Sequence, residues 1–163
     1  MTWPAWLRRE RGDDDNTGVG DIEEIKRLKA RYFRMMDTKD WARLSDVFTD
    51  DVEIDMTGEG GGVTRSVGEY MPFLRDNIES VVTVHHGHMP EIELTSATTA
   101  KGIWALEDRL WWPPGGPISY MHAFGHYHET YEKTAAGWRI KTMTITRLRR
   151  NVEPAGPQEG DQR

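Results

Sequence analysis

The sequence predicts an α+β domain, a cone-shaped, curved antiparallel sheet wrapped around N-terminal helices. Three observations carry this expectation. Apolar residues in the first third recur at steps of three and four: Ile22, Ile25, Leu28, Tyr32, Phe33 and Met36. From Val81 onward the pattern changes to four long β-type stretches separated by turn residues. The length, 163 residues, suits one domain with a real core.

Residues 1–20 read as a tail, disordered or loosely docked. Arg8, Arg9 and Arg11 precede Asp13, Asp14 and Asp15, and Asn16, Gly18 and Gly20 follow with no apolar period. Trp3 and Trp6 are suited to pinning this tail to the domain or to a second subunit. The domain proper is expected over residues 21–150. Asp21 reads as a helix N-cap, with Glu24 at the capping-box position, and the helix runs to about Thr38. A second short helix follows from Asp40 or Trp41 to Phe48. Val52–Met56 alternates as a strand, and Gly58–Gly62 forms a loop. Ser66 caps a third helix to about Glu79, although Pro72 argues for a start nearer Tyr70.

The four strands are expected at Val81–Thr95, Thr99–Trp112, Ile118–Glu132 and Trp138–Leu148. Pro113–Pro117 makes the loop between the second and third. Trp104, Leu106, Asp108, Leu110 and Trp112 share one parity of the second strand. In the third, Tyr120, His122, Phe124, His126 and His128 share one. The inward parity of the last strand switches between Ile140 and Met143, which predicts a bulge. Residues 151–163 read as a second polar tail. A sheet curled round a helix leaves a cavity between them, the default place for a site.

Composition excludes several classes of function. The net charge is −6 and the basic residues are spread, which argues against nucleic acid as a partner. There is no cysteine, hence no disulfide framework or thiolate chemistry. No apolar run has the length of a signal peptide or membrane span, so the expected location is cytoplasmic, with no membrane partner.

Ionisable residues recur at positions the pattern calls inward. Val81–Glu93 holds His85, His86 and His88. Alternation puts His85 with Thr83 and Gly87 on one face, and His86 with His88 on the other, unless Gly87 carries a bulge. A histidine here serves as a general base or lies on a solvated strand edge. Asp108 sits among inward apolar residues and needs a partner. That partner is a histidine, giving a base and its orienter, or an arginine, Arg109 or Arg147. Tyr32 lies in the buried helical stripe, either as a core tyrosine or as a donor to a substrate carbonyl. Asp37 follows five residues later, about 140° around an ideal helix. The histidine spacing matches no zinc motif, and the glycines at 60–62 lack the lysine of a phosphate loop. Neither a metal nor a nucleotide is expected.

Three segments carry a family resemblance. They are IEEIKRLKARYFRMMDTKDW, VHHGHMPEIELTSATTAKGIWALEDRL and YEKTAAGWRIKTMTITRL. Together they resemble the SnoaL-like branch of the nuclear transport factor 2-like superfamily, and within it the bile acid 7α-dehydratases. The likeness covers about Asp21–Arg150. It implies Tyr32, Asp37, His85 and Asp108 as the catalytic set, with Arg147 near the site and His88 in a supporting position. His86 departs from the motif, which has an apolar residue there. Trp104 and Phe124 are added as residues around the substrate. The resemblance further implies a cofactor-independent enzyme and a homodimer or homotrimer. The expected activity is a lyase that dehydrates a hydroxylated steroid-like or polycyclic carbonyl compound, a small hydrophobic substrate. Its alternatives are an isomerase of a similar enone and a non-catalytic binding or assembly subunit.

Overall fold

The computed structural model describes residues 14–156 of the chain. Trp3, Trp6 and residues 157–163 of the expected tails lie outside them. Helix α1 spans Asp14–Asp37, α2 Trp41–Leu44 and α3 Val67–Ile78. The strands are β1 Phe48–Asp55, β2 Val63–Thr64, β3 Val82–Leu94, β4 Thr99–Trp111, β5 Ile118–Thr134 and β6 Gly137–Pro154. They form one six-stranded sheet in the order β2-β1-β6-β5-β4-β3. Every pairing is antiparallel except β1 with β6, which is parallel, so the sheet is mixed rather than wholly antiparallel. Among the described residues no helix is long and apolar enough to cross a membrane.

Helix α1 starts seven residues before the expected cap. Asp21 does not end the helix; its carboxylate accepts from Lys133 Nζ at 2.7 Å and from Trp138 Nε1 at 2.9 Å. The position of a Cβ on Gly18 lies 3.6 Å from Leu94, so the extra turns lie against the end of β3. Tertiary contact of this kind overrides the weak helix preference of Gly18 and Gly20. The buried stripe of α1 is Ile25, Leu28, Lys29, Tyr32, Phe33 and Met36, with Met35 beside it.

Three other boundaries move for local reasons. The second helix stops after one turn, and a 3-10 turn, Ser45–Val47, leads directly into β1 at Phe48. Helix α3 starts at Val67 behind the Ser66 cap, with Pro72 in its interior. Pro72 and Gly68, whose carbonyl loses its helical partner, are both exposed, so that carbonyl is open to solvent. Finally, β6 continues through Asn151 to Pro154, because the first residues of the long β5 need a partner: Tyr120 pairs with Glu153 and His122 with Asn151. The bulge foreseen near Ile140 is present, with Lys141 as the extra residue between Ile140 and Thr142.

The inner face of the sheet packs on α1 with Trp104, Leu106, Tyr127, Tyr131, Trp138, Ile140, Met143 and Ile145. Gly87 on β3 belongs to this face. A Cβ there would come within 2.6 Å of the Phe33 ring, so glycine is what lets α1 lie close against β3.

Candidate active site

The site is built where the end of α1 meets the middle of β3. His85 and Thr83 alternate onto the inner face. Asp37, the last residue of α1, reaches both. Its Oδ1 lies 2.6 Å from His85 Nδ1 and accepts from Thr83 Oγ1 at 2.9 Å, while Oδ2 accepts from the His85 backbone N–H at 2.9 Å. Lys39, in the left-handed turn just after the helix (φ 58), donates to Thr83 Oγ1 at 3.0 Å. Three accepted bonds offset the cost of placing a carboxylate at the negative end of a helix. They also fix its direction. With Nδ1–H donated to Asp37, His85 keeps Nε2 as the free acceptor, the tautomer of a general base. The Phe33 ring stacks on the imidazole, 6.3 Å between centroids and 13° from parallel. The His85 side chain retains 10% of its surface exposed.

Asp108 does not orient His85. The two residues are direct cross-strand partners on one face, but the Asp108 carboxylate turns the other way, to Arg147 Nη2 at 2.8 Å. Of the two partners open to Asp108 in the sequence, the arginine is the one present, and the carboxylate bonded to His85 is Asp37. Position explains the choice. Between β4 and β6 lies β5, whose residues here are Ala123 and Gly125. With no bulky side chain between them, Arg147 reaches Asp108 across the inner face. A Cβ on Gly125 would fall 2.0 Å from the Thr146 carbonyl, so glycine is what lets the β5 backbone lie against β6 beside Arg147.

Arg147 is also forked onto Glu59, Nε to Oε1 and Nη2 to Oε2, both at 3.0 Å. Arg150 donates to the same carboxylate at 2.6 Å. Burial alone would lower the Arg147 pKa; the bonds and charges of Glu59 and Asp108 outweigh it and hold the guanidinium above its ordinary value. Glu59 ends the 3-10 turn Thr57–Glu59. In sequence it is a lone carboxylate in a glycine-rich loop, with nothing but its charge to single it out.

Tyr32 is buried in the core, 2% exposed, with its ring 5.4 Å from that of Phe33 and 6.0 Å from that of Tyr127. Burial and then the neighbouring phenols of Tyr127 and Tyr70 raise its pKa well above the ordinary value, so it stays a protonated donor. Next to it lies a network that sequence reasoning missed. Lys29 Nζ is fully buried, 2.5 Å from Glu129 Oε1, and stands 3.5 Å and 4.1 Å from the ring centroids of Tyr127 and Tyr32. Tyr131 donates to Glu129 Oε2, and Trp104 Nε1 donates to the Tyr131 hydroxyl at 2.8 Å. Burial pushes the Lys29 pKa down to about 8 against the opposing pull of Glu129. The signal was available, since Lys29 lies four residues after Ile25 and four before Phe33 on the apolar stripe. Trp104 is inward as expected, with its N–H used inside this network.

Two expected site residues lie on the other side of the sheet. Phe124 is the cross-strand neighbour of Glu107, and its ring lies 4.5 Å from that of His122. His88 Nε2 is 3.4 Å from Glu107 Oε2, and His122 Nε2 is 2.8 Å from Oε1. The inward parity of β5 is Ala123, Gly125, Tyr127, Glu129 and Tyr131, the set opposite to the one carrying Phe124. A groove of about 700 Å³ also opens on this outer face, beside Ile103, His128, Thr130, Thr142 and Thr144, away from the His85–Asp37 pair. Among the described residues no group of three His, Cys, Asp or Glu side chains is placed to hold a metal ion.

A family model described as a SnoaL-like domain matches residues 18–144. The probable cyclase FGR4 of Gibberella zeae (strain PH-1) is 23% identical over 133 residues, covering 76% of this chain and 89% of that protein. Among solved structures, a candidate scytalone dehydratase from Novosphingobium aromaticivorans superposes with a TM-score of 0.75 at 20% identity, covering 91% of this chain and 99% of that one. A hexachlorocyclohexane dehydrochlorinase, LinA type 2, gives a TM-score of 0.74 at 19% identity, with 88% and 94% covered. Likenesses at this identity show the fold.

Proposed function

The chain belongs to the SnoaL-like domain family, and from that premise we propose that it is a small-molecule lyase working by acid–base chemistry without a cofactor. The observation that carries the reading is the His85–Asp37 pair, 2.6 Å apart, with Nε2 of a partly exposed imidazole left free. The names of the relatives support it. A dehydratase and a dehydrochlorinase are both named for eliminations, and an elimination starts well with a positioned base. The substrate is proposed to be a hydroxylated carbonyl compound of steroid-like or polycyclic size, and the reaction its dehydration, as in bile acid 7α-dehydratases.

The chemistry closes on residues of this chain. His85 Nε2 removes a proton from the carbon next to the carbonyl, and the electron pair moves onto the carbonyl oxygen. Tyr32, kept protonated by its burial, donates a hydrogen bond towards that oxygen. Asp37 supports the imidazolium that forms, helped by the negative end of α1. When the enolate collapses, the hydroxyl one carbon further leaves as water, taking the proton from His85 Nε2. The base is then regenerated.

A panel of polycyclic β-hydroxy ketones tests this, with loss of water followed by mass spectrometry and the enone by absorbance. His85→Ala is expected to lower the rate by about 10²–10⁴, the range for a positioned base. Full turnover in His85→Ala overturns the reading.

A further inference from the structure

Oδ1 of Asp108 and Nη1 of Arg147 are buried side-chain atoms with no hydrogen-bond partner among the described residues. They are the two open arms of one ion pair, whose other arm, Nη2 to Oδ2, is closed at 2.8 Å. The remaining guanidinium groups are taken, since Nε and Nη2 fork onto Glu59. An acceptor and a donor left open together, out of water, are a standing cost, and buried polar groups in native proteins nearly always find a partner. Asp108 lies beside His85 in the sheet register. Neighbouring side chains at such positions are about 5 Å apart. Asp108 keeps 3% of its side-chain surface exposed, and Arg147, Glu59 and His85 keep 10–14%, so the two open atoms are themselves covered and lie next to groups that solvent reaches.

We propose that this open pair binds a hydroxyl group of the substrate. The hydroxyl oxygen accepts from Nη1 of Arg147, and its O–H donates to Oδ1 of Asp108. Of a hydroxyl, a ketone and a carboxylate, the hydroxyl is the one that satisfies both atoms at once. A ketone uses Arg147 alone and leaves Asp108 open. A carboxylate brings a second negative charge against Asp108. It finds no net positive charge in return, because Arg147 and Arg150 are balanced by Glu59 and Asp108. The site therefore selects hydroxylated compounds over their ketone and acid analogues. This rests on the reading of the inner face as the active site, and it names the feature of the substrate recognised there.

Calorimetry on the full chain with three matched bicyclic probes tests the inference: a hydroxydecalone, the corresponding decalindione and the corresponding oxodecalin carboxylate. The wild-type protein is expected to bind the hydroxydecalone about ten- to a hundredfold tighter than the dione, the range for leaving one buried polar group unpaired. Asp108→Asn is nearly isosteric, and its amide can donate to a ketone. It should bring the two affinities within about threefold and improve binding of the carboxylate. Arg147→Lys keeps the charge but has no second nitrogen to offer, so it should weaken hydroxydecalone and dione alike. His85→Ala should keep the wild-type preference, because it removes the base and not the pair. A failure of the acid–base reading, seen as turnover retained in His85→Ala, is thus distinct from a failure here. Equal wild-type affinities for hydroxydecalone and dione, no binding of the hydroxydecalone at millimolar concentration, or an unchanged preference in Asp108→Asn overturns the inference.

Discussion

Replacing Asp37 with asparagine tests the geometry of the dyad directly. Asp37 accepts three bonds, from Thr83 Oγ1, the His85 backbone N–H and His85 Nδ1. An amide has one oxygen and one NH₂. If the oxygen keeps the backbone N–H, the NH₂ faces His85 Nδ1. The imidazole must then accept at Nδ1 and carry its proton on Nε2, where it can no longer act as a base. Turnover should fall about 10²–10⁴-fold. The fold should lose little, because the Asp37 side chain is 22% exposed and the backbone bond survives. One weakened hydrogen bond is worth about 1 kcal/mol, or about 2–4 °C in Tm for a chain of this size. Nitrogen NMR of the His85 ring reads the tautomer without any substrate. Asp37→Asn combined with His85→Ala should be little worse than His85→Ala alone, since the two act as a unit. An unchanged tautomer, or a larger rate loss for Asp108→Asn than for Asp37→Asn, refutes the assignment of Asp37 as orienter.

Three further outcomes are expected. Lys29→Met leaves Glu129 as a buried charge without its ammonium partner and should destabilise by about 3–5 kcal/mol; adding Glu129→Gln should recover much of that, read as Tm. At alkaline pH, four of the five tyrosines (Tyr32, Tyr70, Tyr127 and Tyr131) have raised pKa values. The unfolded chain then releases protons above about pH 10 that the folded chain retains, so stability falls by about 1.4 kcal/mol per pH unit for each phenol. Lys29 acts with the opposite sign from about pH 8 upward, where the unfolded chain holds a proton the folded chain has shed. Stability measured by denaturant titration should therefore rise towards pH 10 and drop steeply beyond it, with phenolate absorbance from the buried rings appearing only on unfolding. Finally, His88→Ala and Phe124→Ala lie on the outer face and should each leave turnover within about twofold of wild type.

Much of the fold was legible because its signals are local. The stripe on α1 and the alternation of Trp104, Leu106, Asp108 and Leu110 are read within one element. The errors arise where an element is decided by another one. β6 runs to Pro154 because β5 needs a partner, and Gly18 is helical because β3 lies under it. The site follows the same rule. Parity put His85 and Asp108 on one face correctly, yet parity says nothing about where a carboxylate turns once two partners are in reach. The turn of Asp108 towards Arg147 depends on Ala123 and Gly125, on a strand between them. Asp37 was singled out by resemblance, with helix geometry arguing it away from Tyr32. Its position at the helix end lets it reach β3 instead. Phe124 was misplaced because five residues of one β5 parity looked aromatic and functional, while the buried parity hid Glu129 among tyrosines.

The parallel pairing of β1 with β6 has a consequence for how the molecule assembles. The strands β3 to β6 join as successive hairpins, contacts that form early because their loops are short. Glu59 and Arg147, by contrast, are 88 positions apart. Closing a loop of that length costs about 4 kcal/mol in chain entropy. β1 can take its place beside β6 only once the last strand is made, so the Glu59–Arg147 clamp is expected to form late. Interactions made after the folding barrier act mainly on the reverse rate. Glu59→Gln should accordingly speed unfolding in a stopped-flow chevron while leaving refolding nearly unchanged. The half of the site that holds Arg147 in place is then also the half whose strength sets the lifetime of the native state.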